Sequence, residues 1–328
     1  MKFFNPLLLF SLFCLRGYNS EPINDDETSL LLLDDDDFTI KPQPLPQDII
    51  RGINWFGLET EYYGLMCTWQ NPIDWHLEKI DNLGFNYIRL PFSVEYVQRG
   101  EWSQMDSFFH HVQNHESIKV VLDCHRLHST HQSSKPYDNF YSFDVFLDSW
   151  RIILDRYQNV NNLESVDIFN EYQSENYVEW NSIARQTLTY IEYHFPERFH
   201  YMVGGTNWGG NLHYVSVEDL AFSNRVSYSI HKYWFSDPEQ DYEEKWNYSF
   251  ADLNLPLINV GEWGYKSTSV KETEWAESFV EFLIKKNLRN TFFWTYSHNS
   301  GDTAGVLLED CTTVDEKKME LLHHLWNN

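Results

Sequence analysis

From residue 49 to the C-terminus, eight short apolar runs alternate with eight longer amphipathic segments, and this alternation constrains the fold more than any other feature. The runs fall at 49–55, 85–90, 118–124, 165–169, 200–203, 226–230, 256–260 and 291–294. Most are apolar throughout instead of alternating with polar residues, as a parallel sheet covered by helices requires. The helical segments are 72–83, 103–116, 141–158, 177–194, 213–222, 240–251, 273–288 and 314–326. In the seventh, Trp275, Phe279, Phe282 and Leu283 form one apolar stripe, and Lys285 and Lys286 lie near its end, where positive charge suits a helix C-terminus. Strands and helices in strict succession predict an α/β fold, a closed (β/α)8 TIM barrel. The alternative, an open doubly wound sheet, calls for a glycine-rich phosphate loop after the first strand, and none follows it.

The barrel domain spans 48–328, preceded by a leader and spacer at 1–47. Lys2 stands before an apolar run at 3–15, followed by Arg16 and Gly17, the layout of a signal peptide and too short for a membrane span. Pro6 interrupts the run and no small-x-small cleavage site follows, so an uncleaved anchor or a packed extension stays open beside secretion. The aspartates at 34–37 read as a solvated turn, since they lack the spaced ligands of a calcium loop, and Pro42, Pro44 and Pro46 limit regular structure after them. Asn247-Tyr248-Ser249 is a glycosylation sequon if the chain is secreted.

Charge narrows the partners. Twenty-four basic residues face 49 acidic ones, a formal charge of -25, and no basic stretch interrupts them; such a surface repels phosphate backbones and excludes a nucleic-acid partner. A neutral substrate fits better. The 13 Trp and 20 Tyr serve mostly as core, yet their flat faces also suit stacking on sugar rings. Of the cysteines, Cys14 lies in the leader and Cys124 in a buried strand, while a disulfide between Cys67 and Cys311 is left open. No C-x-x-C pair points to structural zinc or redox chemistry.

A barrel carries its chemistry at the C-terminal ends of its strands, so the polar residues that follow each apolar run should converge. They are Glu59, Arg89, His125 with Arg126, Asn170 with Glu171, Trp208, His231 with Tyr233, Glu262 and Trp294. Glu171 and Glu262, three strands apart, can face each other across the mouth as the acid/base and the nucleophile of a glycosidase. Arg89 and Tyr233 would stabilise an ionised Glu262, His231 would contact Glu171, Asn170 would bind the sugar 2-hydroxyl, and Trp294 would stack under the reacting sugar. Each has a plainer reading: a helix N-terminal carboxylate for the glutamates, a structural ion pair for Arg89, packing for His125, His231 and Trp294. The ordered set outweighs its members. Metal catalysis is not expected, because His110 and His111 diverge on one helix and the two-carboxylate reaction needs no ion; no cofactor is implied.

At these residues the chain resembles glycoside hydrolase family 5, particularly its bacterial-type β-1,4-endoglucanases. The resemblance runs through RGINWFG at 51–57, GFNYIRLPFS at 84–93, VVLDCHR at 120–126, DIFNE at 167–171, IHKY at 230–233, NVGEWG at 259–264 and FFWTY at 292–296. It implies Glu171 as acid/base and Glu262 as nucleophile, with Arg89, His125, Asn170, His231, Tyr233 and Trp294 supporting. NWGGNL at 207–212 and NSGDTAGVLLEDCTTVD at 299–315 resemble the endoglucanases more narrowly. Trp55, Trp208, Asn211 and Asp302 in these stretches are the outer-subsite candidates. Four departures stand out: Tyr172 replaces the usual proline after the strand-four glutamate, Ala304 replaces a usual glycine, an acidic, proline-rich segment replaces the N-terminal hairpin, and the connection from Pro91 to Met105 is short, which would alter the far subsites. Loss of the proline predicts a looser turn at Glu171. The resemblance implies hydrolysis of a β-linked glucan with retention. The alternatives are the same chemistry on β-mannan, mixed-linkage or β-1,3-glucan, and a non-catalytic glycan-binding barrel.

Overall fold

The computed structural model describes residues 49–237, 242–255 and 257–328. The leader, the spacer and the acidic run lie outside the described residues. Eight parallel strands close in chain order: β1 Arg51–Asn54, β2 Tyr87–Ser93, β3 Lys119–Arg126, β4 Leu163–Asp167, β5 His200–Gly204, β6 Val226–Tyr233, β7 Ile258–Gly264 and β8 Thr291–Phe293. Pairing of Arg51 with Thr291 and Gly52 with Phe292 joins β1 to β8 and completes the barrel. Gly52 is needed there: a Cβ would come within 2.2 Å of the Phe292 ring.

Helices α1 Ile73–Asn82, α2 Val94–Arg99, α3 Ser103–Val112, α4 Phe143–Tyr157, α5 Tyr177–His194, α6 Tyr242–Ser249, α7 Val270–Lys285 and α8 Glu316–Asn327 pack outside. Their starts are chemically marked. The side chains of Ser142, Asn176, Ser269 and Asp315 accept from the third helical N–H of α4, α5, α7 and α8, a cap worth about 1 kcal/mol each. The expected stripe on α7 is buried, and Trp246 of α6 meets Trp275 and Phe279 edge-on.

Three sequence expectations change. The segment 213–222 is not helical. Val215 and Val217 are both buried, a two-residue period; the Ser216 N–H goes to Asn181 Oδ1 and the Val217 N–H to Tyr228 Oη. Turns at 213–214 and 218–222 flank that short stretch, and β5 connects to β6 without an α-helix. In the opposite sense, α2 occupies the connection after β2, capped by Ser93 and ended by Gly100 at φ 70°. Finally, Trp55 is fully buried and donates from Nε1 to the Met66 carbonyl, with Phe108 and Tyr296 edge-on to its ring. Asn54 points into the barrel, so alternation turns Trp55 out toward the helices. Trp55 is a core residue, not an outer-subsite platform.

Cys67 and Cys311 form a disulfide that ties the loop after β1 to the loop after β8, while Cys124 is free and buried. The barrel's lower interior is plugged by Ile50, Tyr87, Val121, Met202 and Phe292. Two residues further along β2 and β3 the inward positions become charged, at Arg89 and Asp123, and both side chains are fully buried. That change from apolar plug to buried charge is the floor of the site.

Candidate active site

Arg89 organises the floor. Its Nη1 donates to Glu262 Oε1 at 2.6 Å and to Asn54 Oδ1 at 3.0 Å; Nη2 reaches Asn170 Oδ1 at 2.9 Å, and Nε reaches Asp167 Oδ2 at 3.0 Å. Asp123 lies 3.1 Å from Nη2. One guanidinium thus joins β1, β3, β4, β7 and the residue just before Glu171. Burial works against its charge, but Asp123, Asp167 and Glu262 together raise its pKa. Burial also pushes Asp123 up to about 7 and Asp167 up to about 6, against the pull of Arg89. Asn54, Asp123 and Asp167 are absent from the strand-end map because they fall inside the apolar runs 49–55, 118–124 and 165–169. The two-residue spacing from Asp123 to His125 was the available signal.

Glu262 sits on β7 beside a register shift in its pairing with β6, between Ile230 and His231. Gly261 permits this close approach, since a Cβ there would stand 2.1 Å from Ser229 Oγ. Burial alone would raise the Glu262 pKa. His231 and Arg89 outweigh it, aided by the Tyr233 hydroxyl donating to Oε2 at 2.8 Å, and hold it at about 2. Tyr233 is pushed well above its ordinary range, chiefly by burial and then by Glu262, so it stays a donor. Glu262 is therefore an ionised carboxylate with both oxygens held.

Glu171 follows β4 in the left-handed region, at φ 50°. His231 Nδ1 is 3.1 Å from Glu171 Oε1 and 3.5 Å from Glu262 Oε2, so a single imidazole nitrogen serves both carboxylates. Burial opposes a positive His231, yet Glu262 and Glu171 raise its pKa overall. One oxygen of Glu171 lies within 4.8 Å of one oxygen of Glu262. The turn is not loose despite Tyr172: this side chain is fully buried, and its ring stacks on Trp180 at 5.0 Å.

His125 forms a second chain of contacts. Its Nδ1 is 2.6 Å from Asp123 Oδ2 and its Nε2 is 3.3 Å from Asn170 Nδ2. Arg89 takes the Asn170 carbonyl oxygen, so the amide must donate to His125, which fixes the His125 proton on Nδ1, facing Asp123. Burial agrees, lowering the His125 pKa to about 4 and keeping the ring neutral. His125 in turn stacks under Trp294 at 5.3 Å and 13°, with Phe56 on Trp294 at 5.7 Å and 19°. The Trp294 indole N–H donates to Ser300 Oγ at 3.1 Å.

Glu171, Glu262, His125, His231, Tyr233 and Trp294 line one cavity of about 580 Å³, together with Trp208 and Asp302 at its edge. Trp208 is half exposed. Arg126, Gln132 and Phe235 line it too; Phe235 lies flat against Tyr233 at 5.0 Å and 10° and had no signal in the strand-end pattern. Arg89 is fully buried beneath the cavity, and Asn170, next to Glu171, is 1% exposed. Asn211 is a correction: its Oδ1 accepts the His213 N–H and its main chain pairs with Thr206, so it shapes the loop and does not line the cavity. Glu59 likewise turns inward, binding the Gly57 N–H and Arg126. Two groups among the described residues have metal-ligand proximity: Cys67, His298 and Cys311, whose sulfurs form the disulfide, and Glu171, His231 and Glu262, whose side chains already interact with one another.

A pair of carboxylates at the mouth of a (β/α)8 barrel, one locked in its ionised form beside an exposed aromatic wall, defines a glycosyl hydrolase. The sequence matches the profile of the cellulase family (glycosyl hydrolase family 5) over residues 47–300, and the chain belongs to that family. It is 30% identical to an endoglucanase of Paenibacillus polymyxa over 83% of this chain and 81% of that protein. It is 26% identical to the major extracellular endoglucanase of Xanthomonas campestris pv. campestris, over 84% of this chain and 67% of that one. Among solved structures, an endocellulase of Pyrococcus horikoshii in complex with cellotetraose superposes with a TM-score of 0.74 at 25% identity, covering 84% of this chain and 92% of that one.

Proposed function

We propose that the protein is an endo-β-1,4-glucanase acting by double displacement with retention. The approach of Glu171 and Glu262 to within 4.8 Å carries this reading. Retaining pairs stand about 5–5.5 Å apart, whereas inverting pairs need about 6.5–9.5 Å to admit a water. Glu262, ionised and aimed by Arg89 and Tyr233, attacks the anomeric carbon as Glu171 gives its proton to the departing glycosidic oxygen. A glycosyl–Glu262 ester results. Glu171, now a carboxylate, takes a proton from water as that water attacks the same carbon, releasing the sugar and restoring both groups. His231 Nδ1, within reach of both carboxylates, supports the charge as it moves between them. Asn170 gives one amide hydrogen to His125, leaving the other for the 2-hydroxyl. Trp294, Trp208 and Phe235 offer stacking faces for neutral sugar rings.

The glucan choice is supported by the named activities of the relatives and by the cellotetraose held by the Pyrococcus horikoshii enzyme. Release of reducing ends is to be measured for wild type, E171Q and E262Q on a panel of β-1,4-, mixed-linkage and β-1,3-glucans and β-mannan. Wild type should prefer β-1,4-glucan. E171Q should lose about 10²–10⁴-fold, and E262Q should fall to background. Wild-type rates in both variants would refute the assignment, and a preference for mannan would move the substrate.

A further inference from the structure

The acid/base Glu171 has a strained backbone, and what restrains it is not in the floor. Its φ of 50° is one that a side-chain-bearing residue adopts only when its surroundings insist. Along this segment the Arg89 contacts stop at the Asn170 side chain, and His231 reaches only the side chain of Glu171. Beyond Glu171 the chain is instead laced to loops on both sides. On one side the Trp208 N–H donates to the Tyr172 carbonyl and the Asn207 N–H to the Ser174 carbonyl, each at 3.0 Å, joining the loop after β5. On the other, the Gln173 N–H donates to the Ser134 carbonyl at 3.2 Å, joining the loop after β3.

Tyr172 is the pivot between these attachments. Its hydroxyl donates to Glu179 Oε2 at 2.7 Å, and Glu179 Oε1 accepts from Lys135 Nζ at 2.6 Å and from the Tyr137 hydroxyl at 2.7 Å. Glu179 belongs to the first turn of α5, where its N–H is capped by Asn176 and its charge suits the helix dipole. Trp180, on which the Tyr172 ring stacks, is itself fixed by a bond from Nε1 to the Gly204 carbonyl at the end of β5. Hence the residue bonded to Glu171 is clamped by ring, hydroxyl and carbonyl at once.

We propose that Tyr172 and Glu179 are positioning residues for the acid/base: together with Lys135 and Tyr137 they form a strut that holds Glu171 in its left-handed turn, aimed at the leaving oxygen. Neither need touch substrate. This rests on the reading of Glu171 as the acid/base. Lys135, Tyr137 and Tyr172 together keep the Glu179 pKa down at about 2, so the strut stays charged through the working range.

A misaimed acid has a signature that a merely destabilised protein lacks. Proton donation matters for a sugar leaving group and hardly at all for 2,4-dinitrophenolate, which departs unprotonated. The test compares kcat/KM of wild type, Y172F and E179Q on cellotetraose and on 2,4-dinitrophenyl β-cellobioside, with E171Q alongside and melting curves for all four proteins. Both strut variants should lose about 10- to 100-fold on cellotetraose and stay within about threefold of wild type on the aryl substrate. An equal loss on both substrates, or no loss on either, overturns the strut. E171Q separates the two claims: if it loses the aryl reaction as fully as the oligosaccharide, the acid/base reading itself is wrong. Y172F deletes a single hydroxyl and leaves the stacked ring, so folding is preserved where E179Q is less tolerant.

Discussion

In the proposed mechanism two carboxylates of one residue type take opposite parts, and their surroundings differ by a few contacts. Glu262 has Arg89 at 2.6 Å and Tyr233 at 2.8 Å, and its charge is held to about pH 2 in the fold against 4.5 in an unperturbed glutamate. A depressed pKa contributes stability that is present above about pH 4.5 and lost as pH falls toward about 2. Relative to E262Q, the wild-type chain should therefore gain melting temperature as pH rises from 3 toward about 4.5, and the difference should then level off. A difference that is flat from pH 3 to about 6 would contradict the charged floor. Arg89, Glu171 and Glu262 were legible at this scale because barrel chemistry follows strand ends. Asp123 and Asp167 were not, since buried charge inside an apolar run has no positional rule beyond two-residue alternation.

At the scale of elements, the strands were legible because continuous apolar runs admit few other structures, although β2, β3, β6 and β7 continue past those runs and through their functional residues. The segment 213–222 misled for a definite reason: the N–H groups of Ser216 and Val217 at its centre are taken by side chains of α5 and β6, contacts invisible in local sequence. Tyr172 misled likewise, since a proline acts within its own turn whereas this tyrosine acts through α5. The loop after β8 offers a separate test. Ala304 stands at φ 54°, a conformation costing an alanine about 1–2 kcal/mol. Glycine would relieve that strain but lose about 0.5–1 kcal/mol to unfolded-chain entropy. A304G should thus raise Tm by roughly 2 °C without changing kcat; a fall in Tm would show that the loop gains from the methyl group.

For the whole molecule, the closed barrel sets the Glu171-to-Glu262 spacing, because β4 and β7 are fixed by the strands between them. The Cys67–Cys311 disulfide secures the last loop, which carries Asp302 to the cavity edge, against the first. The chain's formal charge of -25 suits a neutral polymer better than an anionic one. Whether the spacing yields double displacement is decided by the configuration of the newly formed anomeric centre. Proton NMR during the first minutes of cellooligosaccharide hydrolysis, before mutarotation, should show the β-anomer appearing first and the α-anomer only later; initial release of the α-anomer would contradict retention and the nucleophilic role of Glu262.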